Sequence, residues 1–145
     1  MSAQPAGRVA CSQFEVRTQG RGFVSLDDRL RAAVTQSGVR EGLAQVFAQH
    51  TSCSLLIGEN ADPDVRADLE RFFARLVPDG DPLFRHDAEG PDDMPAHVRS
   101  ILTGVSLGFP VRDGALALGT WQGVYLWEHR TRPHARKISD TILGC

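Results

Sequence analysis

Residues 41–81, "EGLAQVFAQHTSCSLLIGENADPDVRADLERFFARLVPDGD", place two strand-like segments directly before a helix. In residues 43–48 Leu, Gln and Phe alternate with Ala, Val and Ala, as in a strand with two different faces. Residues 52–60 contain a second apolar run of strand length. We expect the two segments to be neighbouring strands that pair with each other.

The helix that follows has clear signals at both ends. Asp62 is well placed as the N-cap and Pro63 as the first helical residue. Pro78 and Gly80 end the pattern. The apolar residues at helical spacing, predicted to form a buried stripe, are Val65, Leu69, Phe72, Phe73 and Leu76.

A shorter helix is predicted ahead of these strands. Residues 9–17 alternate like a strand, and Ser25 with Asp28 then resembles a capping box that opens a helix. Gly38 ends this helix. Its predicted core-facing residues are Leu26, Leu30, Ala33 and Val34.

A third helix is predicted from Asp93 to Leu102, capped by Asp92 or Asp93. Val98, Ile101 and Leu102 are expected to face the core.

Short strands follow at residues 105–111, 115–119, 121–129 and 136–143. Strands and helices are mixed without a βαβα rhythm, which predicts an α+β fold with a mostly antiparallel sheet. Length favours one compact domain over residues 1–145, with residues 1–8 flexible.

Composition excludes several classes of protein. The chain of 145 residues has a net charge of -2, which argues against a general nucleic-acid binder. No apolar run approaches the length of a membrane span, and the N-terminus lacks a secretory pattern. Cys11, Cys53 and Cys145 form no CxxC motif, which fits a reduced, cytoplasmic protein. Cys53 is expected to be a small buried hydrophobe rather than a nucleophile.

Residues 85–100, "RHDAEGPDDMPAHVRS", crowd imidazoles and carboxylates into a broken segment. Asp92 and Asp93 precede the third helix, where they could simply act as caps. His97 borders the apolar face of that helix, and the loop lets His86 fold back towards it. Two imidazoles with nearby carboxylates suit a divalent metal, although the spacing matches no strong zinc motif.

A second polar cluster, "HTSCS" at residues 50–54, lies between the two predicted strands. His50 could ligate a metal, act as acid or base, or bind phosphate together with Thr51 and Ser52. Alternatively, the hydroxyls satisfy backbone groups in a hairpin.

In "GTWQG", residues 119–123, the two glycines allow close backbone approach to a ligand. Trp121 could stack on a planar heterocycle and Gln122 could orient it, or Trp121 could fill the core beside a bulged strand.

The last polar cluster is cationic. If the preceding strand continues, Glu128 and Arg130 share a face and His129 lies opposite. The cations close in sequence could clamp a phosphate or belong to a solvated loop and edge strand. They are Arg130, Arg132, Arg136 and Lys137.

Taken in order, these clusters resemble the YjbQ-like family, also called the secondary thiamine-phosphate synthase family. The resemblance rests on "GALALGTWQGV" after "SLGFPV", on "DDMPAH", and on "QHTSCSLLIGENADPDVRADLERF". Phe109 stands where the family prefers an aliphatic residue. The resemblance implies antiparallel sheet wrapped around two or three helices, a homotrimer, and a polar cleft built from the histidines and the GTWQ turn.

The resemblance also implies an activity, in a secondary role: joining a hydroxymethylpyrimidine diphosphate to a thiazole phosphate. A divalent metal, Zn²⁺ or Mg²⁺, is expected on His50, His86 and His97. His97, Asp93 and Glu128 are the candidate catalytic residues. The candidate substrate-binding residues are Thr51, Ser52, Asn60, Thr120, Trp121, Gln122, Arg130 and Arg136. The alternatives are a metal-dependent hydrolase, with Glu128 or Asp93 as base, and a non-catalytic ligand-binding trimer.

Overall fold

A computed structural model describes Ala3 and residues 7–145, and it contains eight strands and three helices in this part of the chain. The strands are β1 (Arg8–Arg17), β2 (Gly22–Ser25), β3 (Gly42–Ala48), β4 (Cys53–Glu59), β5 (Ser106–Arg112), β6 (Ala115–Leu116), β7 (Gln122–Glu128) and β8 (Ala135–Gly144). The helices are α1 (Asp27–Ser37), α2 (Pro63–Leu76) and α3 (Asp93–Thr103).

The strands form two antiparallel sheets. One has the order β1-β8-β3-β5-β6 and the other the order β2-β7-β4. The core lies between them and includes Leu30 and Val34 of α1, Val46 of β3 and Leu126 of β7. This arrangement confirms the predicted α+β class, with curled antiparallel sheets in one domain.

The predicted flexible segment, residues 1–8, is covered only in part. Arg8 already belongs to β1, and the Gly7 N–H donates to the Gly144 carbonyl at 2.8 Å. Apart from Ala3, the remaining residues of that segment lie outside the described residues.

The predicted pairing of the two strands at residues 41–60 is wrong. β3 pairs with β5 and β8, whereas β4 pairs with β7 in the other sheet. Both strands bury residues in the same core, Val46 from one side and Leu55 from the other. The link between them therefore crosses from sheet to sheet instead of turning as a hairpin, and it carries His50 and Thr51 to the edge of the core.

Two helical stripes predicted to be buried are largely exposed. On α2, Phe72 and Leu76 are 51% and 54% exposed, and on α3 Ile101 is 81% exposed. The face that α3 buries contains Ala96, Arg99 and Ser100 instead, because this face packs on β4. Leu102, which was also predicted to face the core, is exposed, and Val98 is half-buried.

Polar and aromatic contacts hold α2 on the smaller sheet. Glu70 accepts hydrogen bonds from Arg99 Nη1 of α3 and from Trp127 Nε1 of β7, both at 2.7 Å. Phe73 packs edge-on against Trp127, with ring centroids 4.9 Å apart. Arg66 adds a hydrogen bond from Nη1 to the Tyr125 hydroxyl at 3.1 Å. The helix therefore docks through separate polar and aromatic contacts rather than through a continuous apolar stripe.

The predicted side-chain cap of α2 forms, whereas the predicted capping box of α1 does not. Asp62 caps α2 by accepting from the Asp64 N–H at 2.9 Å, and Pro63 is the first helical residue, as predicted. The capping box at the start of α1 is wrong: Ser25 Oγ accepts from the Asp27 N–H, and Asp28 lies in solvent. The Asp92 carboxylate does not cap α3.

One buried ion pair joins the two sheets. Arg136 of β8 donates from Nε to Glu128 Oε1 of β7 at 2.8 Å, and its Nη2 contacts Glu128 Oε2. Thr18 Oγ1 donates to the same carboxylate at 2.7 Å. Burial alone would raise the pKa of Glu128, but the hydrogen bonds from Arg136 and Thr18 outweigh it and lower that pKa.

The substitution Glu128→Gln should destabilise the protein by about 3 kcal/mol, because it leaves the buried Arg136 guanidinium without its counter-charge. Urea denaturation at pH 7 measures this loss. The pKa of the Glu128 carboxyl is lowered in the folded protein. Its contribution to the free energy of unfolding is therefore complete above the ordinary pKa of a glutamate. That contribution disappears as the pH falls through the lowered value, and the stability gap between wild type and variant should shrink there.

The matched control is Asp28→Asn, which removes a carboxylate from an exposed pair with Arg31. Surface pairs of this kind contribute little, so the control should unfold like the wild type. Equal losses in the two variants would contradict a structural role for the buried pair.

Candidate metal centre and pocket

A cavity of about 700 Å³ runs along α3 and the link between β3 and β4. Its polar lining residues are His50, Thr51, His86, His97 and Ser100. Met94, Ile101, Gly104 and Val105 supply the apolar lining. None of these residues carries a carboxylate. The cavity thus combines imidazoles and hydroxyls on one part of its wall with an aliphatic surface on another.

His97 has a tautomer that can be inferred from its contacts. Its Nδ1 lies 3.0 Å from the carbonyl oxygen of Thr51. A carbonyl oxygen only accepts hydrogen bonds, so Nδ1 carries the hydrogen. In a neutral ring, Nε2 then presents a lone pair, and this atom lies 3.4 Å from Oδ1 of Asp93.

Asp93 contacts two histidines, His97 on α3 and His86 in the preceding loop. Its Oδ2 lies 2.9 Å from His86 Nε2, and its Oδ1 lies near His97 Nε2. One potential ligand atom from each of His86, Asp93 and His97 falls within 4.8 Å of the others. The imidazole rings of the two histidines are 5.2 Å apart, centroid to centroid.

This geometry places two acceptors face to face. The lone pair of a neutral His97 Nε2 and the Asp93 carboxylate repel each other unless a positive charge lies between them. Either a second proton on His97 or a bound cation would supply it. Two imidazoles and one carboxylate form a donor set that suits Zn²⁺ or a similar ion, and His86, 57% exposed, leaves the group open to the pocket.

Arg130 fixes the orientation of the Asp93 carboxylate. Its Nη1 lies 3.1 Å from Asp93 Oδ1, and its Nε donates to Asp92 Oδ2 at 2.9 Å. Nη2 donates to the Glu89 carbonyl at 2.8 Å. The guanidinium is buried and each of its nitrogens has a partner, which argues against the predicted role of Arg130 as a phosphate clamp.

Asp92 is the second carboxylate that Arg130 holds. It also accepts from the N–H and Oγ1 of Thr131, at 2.9 and 3.2 Å. Burial opposes ionisation, but the Arg130 and Thr131 hydrogen bonds prevail and lower the pKa of Asp92 to about 2. The carboxylate therefore anchors the start of α3 to the segment after β7.

His50 lines the same pocket but does not join the group of three. Its Nε2 accepts from the Lys137 N–H at 2.7 Å, so that lone pair is already used. Asp93 takes the place that the sequence analysis gave to His50 in the ligand set. His86 and His97 come together as expected, and His50 lies on another part of the wall.

Glu128 and Arg136 lie beneath the pocket rather than in it. Glu128 is 0% exposed, and its oxygens accept from Arg136, from Thr18 and from the N–H groups of His129 and Arg130. A carboxylate so enclosed is not accessible to a substrate, which argues against the predicted catalytic role of Glu128.

Arg136 Nη2 also donates to the carbonyl and hydroxyl oxygens of Ser52, at 3.1 and 3.0 Å. Ser52 and Arg136 are both buried, so neither is placed to bind substrate as predicted. Cys53 is buried as expected, and burial raises the pKa of its thiol to about 12. His129 is buried against Ser54, and burial lowers its pKa to about 3.

The GTWQ turn lies at the other end of β7. Cys53 is opposite Glu128 at one end of the β4–β7 pair, and Glu59 is opposite Gln122 at the other end. The six residue steps between these ends correspond to about 20 Å. The expected single cleft of histidines and GTWQ turn is therefore not formed within one subunit.

Side-chain hydrogen bonds hold the turn in shape. Asn60 Nδ2 donates to the carbonyls of Thr120 and Gln122, at 3.2 and 3.3 Å, and Gln122 Oε1 accepts from the Gly119 N–H at 2.8 Å. Asn60 and Gln122 thus use their side chains to shape the turn. Trp121 is 64% exposed and does not fill the core.

Several pocket residues were missed by the sequence analysis. Ser100, Met94 and Val105 line the cavity without having been singled out. Asp93 was considered as a cap, as a base and as one of the carboxylates near a metal, but it was not placed in the predicted ligand set. The four-residue spacing of Asp93 and His97 on one helix was the available signal, because such residues are neighbours on a helix surface.

Together, the two curled sheets and the imidazole–carboxylate group define a small α+β protein with a candidate metal-dependent site. The family model described as "UPF0047 protein YjbQ-like" matches residues 12–145. The chain belongs to this family.

Relatives and solved structures agree with this assignment. The UPF0047 protein sll1880 of Synechocystis sp. is 54% identical over 89% of this chain and 88% of its own length. The UPF0047 protein YjbQ of Salmonella typhimurium is 48% identical over 86% and 90%. A YjbQ/UPF0047-family crystal structure from Clostridium acetobutylicum has a TM-score of 0.83 at 34% identity, covering 90% of this chain and 98% of that one. A conserved hypothetical protein from Thermus thermophilus has a TM-score of 0.79 at 38% identity, covering 89% and 97%.

Proposed function

We propose that the protein is a divalent-metal-dependent transferase of the thiamine-phosphate synthase type, which joins a hydroxymethylpyrimidine diphosphate to a thiazole phosphate. The observation that carries the proposal is the pair of facing acceptors, His97 Nε2 and Asp93 Oδ1, 3.4 Å apart. A cation held by His86, Asp93 and His97 would resolve their repulsion. When bound, it would supply positive charge for the phosphate oxygens of the substrate.

The reaction joins two rings by substitution at a methylene carbon. The ring nitrogen of the thiazole forms a bond to this carbon, while the bond from the carbon to the diphosphate oxygen breaks and its electron pair leaves with the diphosphate. The protein must bind two flat rings and stabilise the departing charge. Met94 and Val105 offer an apolar wall to a ring, and Thr51 offers a hydroxyl to a phosphate oxygen.

The need for a base distinguishes hydrolysis from this reaction. The thiazole nitrogen attacks with its own lone pair, whereas a hydrolase must remove a proton from its attacking water. Glu128 is enclosed, Asp93 contacts both histidines and Arg130, and the lining residues named above carry no carboxylate. The transferase therefore fits the pocket better than the metal-dependent hydrolase.

We also propose that the subunits assemble as a homotrimer and act in the cytoplasm on a small phosphorylated substrate. Large apolar side chains on the described surface support association: Phe47 is 44% exposed, Ile101 81% and Trp121 64%. None of the helices in the described part of the chain has the length and apolar character needed to cross a membrane.

Zinc binding tests the metal centre directly. Calorimetric titration of the metal-free protein should give one site per chain. His97→Ala and His86→Ala should weaken the site by more than the roughly 10- to 100-fold typical of residues that only orient a ligand. His134→Ala is the matched control, since His134 bonds the Arg132 carbonyl outside this group. Equal zinc affinity in His97→Ala and His134→Ala would refute the centre.

Activity is tested by supplying both precursors with Zn²⁺ or Mg²⁺ and following thiamine phosphate by chromatography. Wild type should form product, and a chelator or His97→Ala should abolish it. If wild type yields no more product than His97→Ala, the transferase is wrong. Zinc-dependent turnover of a phosphatase substrate panel would then indicate the hydrolase, and thermal stabilisation by unchanged precursors would indicate a binding protein.

The assembly is tested by sedimentation velocity at micromolar concentration. A trimer should sediment with three times the 15.8 kDa mass of the chain. A single species at the mass of one chain would contradict the homotrimer.

A further inference from the structure

His50 is oriented by a contact outside the proposed metal centre. Its Nε2 accepts a hydrogen bond from the Lys137 N–H of β8 at 2.7 Å. A backbone amide can only donate, so Nε2 must carry a lone pair rather than a hydrogen. The ring is therefore neutral, and its hydrogen is on Nδ1.

The surroundings of His50 favour the same neutral state. Burial and then the charge of Arg136 lower its pKa, with smaller contributions from His134 and Lys137. Glu128 acts in the opposite direction but is already paired with Arg136. A histidine kept neutral cannot deliver a full positive charge, but it can still donate a hydrogen bond.

We propose that His50 is a neutral hydrogen-bond donor to an anionic oxygen of the bound substrate, set in place by the Lys137 amide, and not a ligand of the cation. The Nδ1–H of this residue has no hydrogen-bond partner among the described residues, and His50 lines the pocket beside Thr51. The inference deepens the proposed function, on which it rests for the identity of the substrate.

This assignment divides the pocket into two positions for one anionic group. His86, Asp93 and His97 would hold a cation on one part of the wall, and His50 with the Thr51 hydroxyl would donate from another. A phosphate or diphosphate oxygen fits between a cation and neutral donors. The aliphatic residues Met94 and Val105 would contact the uncharged remainder of the molecule. The substrate class is therefore an organic phosphate or diphosphate ester.

A neutral donor suits a reaction in which charge accumulates on a leaving group. Preorganised donors aimed at such an oxygen stabilise the transition state without having to transfer a proton. The Lys137 amide supplies the preorganisation, because it prevents the ring from presenting its other nitrogen to the pocket. His50 would thus touch the substrate directly and act as a catalytic residue.

The tautomer is tested first and without any substrate. In protein labelled with ¹⁵N-histidine, the His50 ring should show a protonated Nδ1 and an unprotonated Nε2 at pH 7, identified by comparison with a His50→Asn sample. An imidazolium at pH 7, or the opposite tautomer, would overturn the inference.

Two substitutions then separate the hydrogen bond that His50 Nδ1 donates into the pocket from the one that His50 Nε2 accepts from Lys137. In His50→Asn the amide nitrogen can occupy the position of Nδ1 and still donate into the pocket. In His50→Gln the terminal amide reaches the position of Nε2, where it can accept from Lys137 but leaves the pocket without the donor. We expect His50→Gln to weaken binding of inorganic pyrophosphate to the zinc-loaded protein by roughly 10- to 100-fold, the usual range for losing a hydrogen bond to a charged group, and His50→Asn to weaken it far less.

Zinc affinity, measured on the same variants, should remain at the wild-type value. A loss of zinc affinity in both variants would make His50 a ligand and refute the proposal, as would unchanged pyrophosphate binding in His50→Gln. The two proposals fail separately. Wild type that binds pyrophosphate through His50 but forms no thiamine phosphate would refute only the transferase, whereas full product formation by His50→Gln would refute only the role of His50.

Discussion

The buried pair of Glu128 and Arg136 is the interaction on which both halves of the site depend. It joins β7 of the smaller sheet to β8 of the larger one, and each partner also holds a segment that leads to the pocket. Arg136 donates to Ser52 and so fixes the link that carries His50 and Thr51. Glu128 accepts from the N–H groups of His129 and Arg130, and so fixes the segment from which Arg130 reaches Asp93.

Three buried arginines, Arg99, Arg130 and Arg136, work as structural cations. Arg130 and Arg136 each saturate buried carboxylates, and Arg99 connects α3 to Glu70 of α2 while itself fully buried. Buried charges are tolerated only when paired, which explains why these side chains are not free to bind a phosphate. For the anionic substrate that we propose, a cation held by the imidazole–carboxylate group would supply the positive charge that these arginines do not.

The link between β3 and β4 shows how the fold generates the site. Because the two strands belong to different sheets, the four residues between them cross the edge of the core instead of closing a hairpin. This crossing brings the Thr51 carbonyl to His97 Nδ1 and His50 to the Lys137 amide. Two histidines thereby acquire defined tautomers from backbone groups alone, one with Nε2 directed at Asp93 and one with Nε2 already satisfied.

The sequence by itself determined the α+β class, the helix that Asp62 and Pro63 begin, the burial of Cys53, and the clustering of His86 with His97, since all of these follow from local spacing. It did not determine the partners of β3 and β4, the exposure of Ile101 and Trp121, or the burial of Glu128 and Arg130. Strand pairing joins residues far apart in the chain, and an ionisable side chain becomes structural or reactive according to the charges that other elements bring beside it. Only the tertiary structure decides those neighbours, and with them the exchange of His50 for Asp93 in the candidate metal centre.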